Sequence, residues 1–373
     1  KAIVIGCVYF IVQVGGGRAT VVFLAWINTQ VLAKFVVWTT SFFVFAIGLM
    51  LFLIPVVPGI PIYITCGIML GHSGEKDFGS FVVAMVWAVF IAFTTKICAC
   101  AIQQKIIGEY MGKYIMVRAF IKINSQFMRA FRVILQRNGL DRDKVMILIG
   151  GPDWPTSVFI GIMKLPLGGI LLGTTPILLP VALATVAGGC MLKRGSGNVW
   201  TSVATLFLTL TAGAFTLCFL GALLAVERAS NEEKDKLDQV PTDMEVKMFD
   251  DDGEERRKLF LEVSSWSKLN VSGKVTLVSS WFLMYTSCLL YALFSDRCFE
   301  SVELNQDYRD PPLNGDVMNV VKKWTGWIAL AMTAVSLILY QGFETWASRI
   351  VAQRMGRSAA TTEEIETEPT GEV

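Results

Sequence analysis

Leu53–Gly71 reads LIPVVPGIPIYITCGIMLG, apolar enough for a bilayer interior yet carrying Pro55, Pro58 and Pro61 with Gly59 and Gly67. Each proline removes a backbone donor, and its ring obstructs the preceding turn, so three at a spacing of three cannot lie inside one straight spanning helix. In hydrocarbon, broken backbone survives only where protein or a water-filled cavity satisfies its polar groups. The stretch is therefore expected to be re-entrant: it enters from one face, turns near Pro58-Gly59 and returns as a short helix from Ile60 to Leu70.

A second interruption lies in Lys144–Pro176, KVMILIGGPDWPTSVFIGIMKLPLGGILLGTTP. Ile147–Ile149 leads in, Gly150-Gly151-Pro152 breaks the chain, and Pro155 is placed to open a new helix. Two broken apolar segments at corresponding places in two halves point to a substrate pathway at the interface of an inverted repeat. On that reading Pro55, Pro58, Gly59, Pro61, Tyr63, Gly67, Gly150, Gly151, Pro152, Asp153, Trp154 and Pro155 are the pathway residues. The competing reading is a pair of proline-kinked spanning helices without a transport role, in which these residues only shape turns and Tyr63 only packs.

The rest of the chain supports a membrane protein. Of 373 residues, 53% are hydrophobic and 17% charged, mean hydropathy is +0.54, and the apolar residues come in blocks of spanning length. The net charge of +2 offers no global field for nucleic acid. The sequence opens on Lys1, so Ala2–Val14 is read as the clipped end of a helix and a missing signal sequence proves nothing. Ala19–Leu32 reads as interfacial, making 1–34 an N-terminal region. Spans follow at Phe35–Ile54, Phe81–Ile102, Leu167–Leu192 and Val199–Val226, giving a membrane core over 35–226. A polar turn with His72 separates the first broken segment from Phe81.

Lys105–Arg142 is strongly basic. Lys113, Arg118, Lys122, Arg129, Arg132 and Arg137 alternate with Phe120, Ile123, Phe127, Phe131 and Ile134 at helical spacing, the pattern of an amphipathic helix on an anionic cytosolic leaflet. Positive charge stays inside, so the first broken segment enters from the lumen and the second from the cytosol. Lys193-Arg194, in the next lumenal turn, runs against that rule. Residues 227–273 form a charged cytosolic linker expected to be largely disordered. Residues 274–343 hold two more spans, Val275–Phe294 and Trp324–Phe343, and 344–373 an acidic cytosolic tail. The sequon at Asn270 falls on the cytosolic side and is expected to be unmodified.

Ionisable groups inside spans are costly and therefore informative. Lys96 lies deep in Phe81–Ile102, Asp153 at the second break and Lys164 near its exit. Asp153 and a lysine could line a polar cavity for headgroups. Equally, the lysines could snorkel to an interface, and Asp153 could cap a helix that has proline in its first turn. Gly169-x-x-x-Gly173 suits close helix approach. With eight cysteines, no CxxC, one histidine and no P-loop, no catalytic, metal or cofactor constellation exists, and an enzyme is not expected.

The motifs IPVVPGIPIY and GGPDWPTS, in that order with the intervening helix, resemble the VTT-domain group, which includes bacterial DedA proteins and SNARE-associated Golgi proteins. The resemblance runs from about Phe23 to Leu192. It implies an all-α polytopic fold with two opposed re-entrant segments, to which this chain adds two C-terminal spans. DedA members resemble proton-coupled transporters with acids in the first segment and arginines around the second. Here Leu53–Gly71 has no acid and Ile147–Ile162 has Asp153 but no arginine, which argues against that coupling. The eukaryotic branch looks like ATP-independent phospholipid scramblases of the endoplasmic reticulum or Golgi, tied to autophagy. That implies phospholipids as partners, with trafficking or autophagy proteins on the linker and tail. An ion-coupled lipid-phosphate or small-solute transporter and a non-transporting scaffold remain the alternatives.

Overall fold

The computed structural model describes residues 2–31, 35–194, 198–304, 309–322 and 324–366. Among these, regular structure is helical apart from one isolated bridge between Phe299 and Val321. In chain order the helices are α1 (Ala2–Phe10), α2 (Ala19–Val31), α3 (Val37–Phe52), α4 (Gly59–Phe78), α5 (Phe81–Ile102), α6 (Ile115–Phe120), α7 (Gln126–Leu135), α8 (Arg142–Gly150), α9 (Asp153–Ile162), α10 (Leu167–Thr174), α11 (Leu178–Leu192), α12 (Asn198–Glu232), α13 (Lys234–Asp238), α14 (Met244–Val263), α15 (Val271–Cys298) and α16 (Thr325–Glu366). Six stretches among the described residues are long and apolar enough to cross a membrane: Ala2–Thr29, Phe81–Met111, Leu167–Leu192, Asn198–Glu232, Val271–Cys298 and Thr325–Met355. On α12 the exposed Leu206, Leu210, Leu217, Leu220 and Leu224 recur at helical spacing, a stripe suited to lipid. The chain is an all-α integral membrane protein.

Two compact units divide it. The larger comprises Val12–Val246 with Ser301–Val320, the other Lys1–Ile11, Lys247–Glu300 and Val321–Val373. In the second unit, α15 and α16 pack through buried hydroxyls: Ser280 donates to the Ser336 carbonyl at 2.9 Å and Ser287 to the Ala329 carbonyl at 2.8 Å. Such short polar side chains suit helix contact in a medium that offers no water. The acidic tail expected from residue 344 continues as α16 to Glu366, and its remainder lies outside the described residues.

The larger unit is built around α4. Every residue from Ile62 to Gly71 is buried, so this helix is enclosed on all sides rather than on one stripe. It packs against α2, α3, α5 and α11. The contact with α11 is made by backbone: a Cβ on Gly67 would come within 1.8 Å of the Thr185 carbonyl oxygen, and one on Gly188 within 2.1 Å of the Ile64 carbonyl oxygen. Gly67 therefore serves packing, not the turn. The polar turn expected after Leu70 is further helix, with His72 half-buried within it, because α4 runs on until Gly79 takes a φ of +69°. Asp77 in its last turn accepts from the Val37 amide at 2.6 Å, satisfying an orphan donor at the start of α3.

Three further expectations are corrected. The basic segment is not one amphipathic helix. Lys122, at a φ of +53°, ends α6, and the Ser125 hydroxyl accepts from the Met128 amide to start α7. The apolar face of α7, including Met128, Phe131 and Ile134, packs inside the protein with Leu148 of α8 and Ala225 of α12, leaving Phe120 and Phe127 exposed.

Nor is the linker largely disordered. Residues 230–246 form a strap across α6 and α7: Arg118 pairs with Asp243 at 2.5 Å and with Glu245, and Asn124 brackets Asp243 through its amide at 2.8 Å and carbonyl at 3.0 Å. Arg129 donates to the Leu237 carbonyl and the Thr242 hydroxyl, and Arg137 pairs with Glu233 at 2.5 Å. Lys236 and then Arg137 hold the Glu233 carboxyl below its usual range. Composition alone read as solvated charge, whereas the matching charges on α6 and α7 order it. Exposed basic side chains remain at Lys113 and Lys122, while Arg132 is half-buried.

Last, the basic pair that ran against the charge rule is neutralised locally. Lys193 meets Glu75 at 2.7 Å and lies over the Phe81 ring at 4.4 Å, and Arg194 meets Glu303 at 2.6 Å.

Candidate functional site

The two proline-rich interruptions become two helix starts. Pro58 precedes α4 and Pro61 lies in its first turn; Pro152 precedes α9 and Pro155 lies in its first turn. First-turn amides have no intrahelical acceptor, so proline there forfeits nothing. Pro58-Gly59-Ile60-Pro61 and Pro152-Asp153-Trp154-Pro155 thus share one P-x-x-P device. That common spacing is the sequence signal by which their equivalence could have been found. Pro55 sits in the Leu53–Pro58 link, and the Leu51 carbonyl that it cannot serve takes the Ile54 amide at 3.1 Å.

The links meet each other. The Trp154 indole donates to the Leu53 carbonyl at 3.1 Å, tying the start of α9 to the end of α3. Together Pro55–Ile60, Tyr63, Ile149–Pro155 and Phe215 line most of a pocket of about 610 Å³, completed from the N-terminal side by Val12, Gln13 and Gly17. Gly150 closes α8 against α12, where a Cβ would strike the Cys218 carbonyl oxygen at 2.5 Å.

Lys96 and Asp153, far apart in sequence, form an ion pair at this junction. The Lys96 ammonium donates to Asp153 Oδ1 at 2.6 Å, with the lysine side chain 2% exposed and the carboxylate 24%. The ammonium also lies 5.3 Å from the centre of the Phe52 ring. A Cβ at Gly59 would approach Asp153 Oδ2 to 2.8 Å, so glycine leaves room for the carboxylate. Both sequence alternatives for these residues give way. Lys96 does not snorkel, and Asp153 begins α9 with no side-chain cap bond, because its carboxylate is turned to the buried lysine. Lys164 stays apart: it is exposed, at a φ of +55° in the turn that ends α9. The Tyr63 side chain is 1% exposed, its ring 5.6 Å from that of Phe52, and its hydroxyl has no protein partner.

Two further residues of consequence belong to no motif in the sequence. Gln103 and Gln104 lie in a π-helical stretch, Gln103–Gly108, that continues α5 toward Met111, and both are fully buried. Gln103 donates to the Phe52 carbonyl at 2.6 Å and Gln104 to the Leu165 carbonyl at 2.7 Å. The Phe52 carbonyl lies at a helix end and the Leu165 carbonyl in the turn beyond α9, and each takes a donor from one of these glutamines. Gln104→Leu is expected to cost about 1–3 kcal/mol, the penalty of an unpaired buried carbonyl. Thermal unfolding in detergent measures it, and a loss below about 0.5 kcal/mol, the size of a surface substitution, would discard that bond as a support.

No family model matches the chain, and neither a curated protein nor a solved structure does. What fold and site define is an all-α membrane protein whose two interrupted segments meet at a buried Lys–Asp pair beside a pocket.

Proposed function

We propose that the protein moves phospholipids between the leaflets of an endomembrane, of the endoplasmic reticulum or Golgi, without ATP. The observation that carries this is the junction itself: two helix starts, a neutralised charge pair and a pocket of about 610 Å³ come together within a unit bearing apolar, lipid-suited faces. A scramblase must offer headgroups a polar route while the tails stay in hydrocarbon, and broken helices provide one through freed backbone groups and helix ends. Two opposed re-entrant segments, with the basic stretch toward the cytosol, fit that role. So does the resemblance of IPVVPGIPIY and GGPDWPTS to the VTT-domain group.

An ion-coupled transporter is favoured by one observation only, the charge pair at the junction, since buried carboxylates in membranes often relay ions. One assay separates the two. The purified protein is reconstituted into liposomes with fluorescent phospholipid and treated with dithionite, with no ATP and no gradient. Bleaching should exceed the outer-leaflet share, and Asp153→Ala and Pro58→Ala should slow it several-fold. Bleaching that halts at the outer-leaflet plateau with folded protein rejects scrambling, and transport that appears only under a proton or sodium gradient supports the alternative.

A further inference from the structure

The strap presents one threonine hydroxyl to a basic partner on α7. Thr242 lies in the non-helical segment Gln239–Asp243 between α13 and α14, and it is exposed. It is not the cap of α14, because Asp243 performs that task by accepting from the Val246 amide at 3.2 Å. Yet the Thr242 hydroxyl oxygen faces a guanidinium, with Arg129 Nη2 donating to it at 2.6 Å. Arg129 is itself held by the Asn124 and Leu237 carbonyls, each at 3.3 Å. In sequence the hydroxyl is followed by Asp243 and Glu245, acids one and three residues on, which Arg118 already binds.

We propose that Thr242 is a phosphorylation site for an acid-directed serine/threonine kinase, with Arg129 as the built-in receiver of the phosphate. In the transfer, Thr242 Oγ1 attacks the γ-phosphorus of magnesium-bound ATP. The new oxygen–phosphorus bond forms as the bond to the β–γ bridging oxygen breaks. ADP leaves, and the hydroxyl proton passes to the catalytic base of the kinase. A phosphate brings about −1.5 to −2 charges and three strong acceptor oxygens. Beside a positioned arginine it gains charge-assisted hydrogen bonds, here from Nη2. Of the two nearby acid charges Arg118 offsets one, and Arg129 takes up the phosphate. The consequence is a strap fastened more tightly to α7. The proposal rests on the cytosolic orientation of the basic segment given above, where kinases and ATP are found, and not on lipid movement.

The test uses the full chain in detergent, incubated with a recombinant acid-directed kinase and ATP. Mass spectrometry should find phosphate on Thr242, and Thr242→Ala should lose that phosphopeptide. Hydrogen exchange over residues 233–246 should then slow several-fold on phosphorylation, an effect lost in Arg129→Gln and partly kept in Arg129→Lys. A free peptide spanning the segment that is phosphorylated while the intact chain is not would overturn the proposal. So would a phosphate that speeds exchange whether or not Arg129 is present. Protease protection in sealed vesicles tests orientation separately: a lumenal strap would remove the cellular role while leaving the reaction in detergent unchanged.

Discussion

Replacing Lys96 with methionine is expected to destabilise the protein by about 3–5 kcal/mol, the usual cost of removing one member of a buried ion pair. Methionine keeps an unbranched apolar stem of similar reach, so packing changes little. What changes is Asp153, whose carboxylate loses the ammonium 2.6 Å away and keeps only its limited exposure for solvation. Asp153→Asn in the same chain removes the stranded charge. The double variant should therefore recover most of the loss, because neighbouring partners do not act additively. Chemical unfolding in detergent, followed by tryptophan fluorescence, gives both values. Losses that simply add in the double variant would mean that the pair is not a coupled unit. The same double variant also isolates function: near-normal unfolding with slowed dithionite bleaching would assign the pair a part in lipid movement beyond holding the junction.

The second large effect is expected at Gly67. Alanine there puts a Cβ within 1.8 Å of the Thr185 carbonyl oxygen and 3.0 Å of the Gly189 amide nitrogen, both backbone atoms that cannot swing aside. Helices α4 and α11 must separate, and since α4 is enclosed on all sides, the displacement reaches every neighbour. Overpacking of this kind costs about 1–3 kcal/mol, and a backbone obstacle puts Gly67→Ala at the upper end. Gly213→Ala, in α12, is the matched control, since nothing lies within 4 Å of its Cβ position. In a helix interior it should be neutral or stabilising by up to about 1 kcal/mol. Equal losses at the two positions would dismiss close backbone approach as the reason for glycine at Gly67.

Those two expectations rest on features of unequal visibility in the sequence. The helical breaks were legible at Pro55, Pro58, Pro61 and Gly150–Pro155 because proline acts locally, through its own ring and missing amide. The long apolar blocks were legible for the same reason, as properties of each segment alone. Partnership was not. Lys96 and Asp153 stand 57 residues apart, and no local pattern distinguishes a lysine that snorkels from one that meets a carboxylate. Gln103 and Gln104 carry no local signal of their task, because their acceptors lie elsewhere, Phe52 at the end of α3 and Leu165 in the turn after α9. The strap shows the opposite failure: its composition reads as solvated charge, and partners across the gap, Arg118, Asn124, Arg129 and Arg137 among them, give it a shape.

Gln103 and Gln104 have a mechanical consequence. One is bonded to the end of the helix before the first break, the other to the turn that follows α9. The two halves of the junction are thus yoked to consecutive residues of a single rod, with one peptide link between the fastenings. A slight rewinding of the π-helical turn that carries them would swing both amides at once. Neither half can slide along that rod alone without stretching its own tether, so the geometry favours paired displacement, with α5 as the axle.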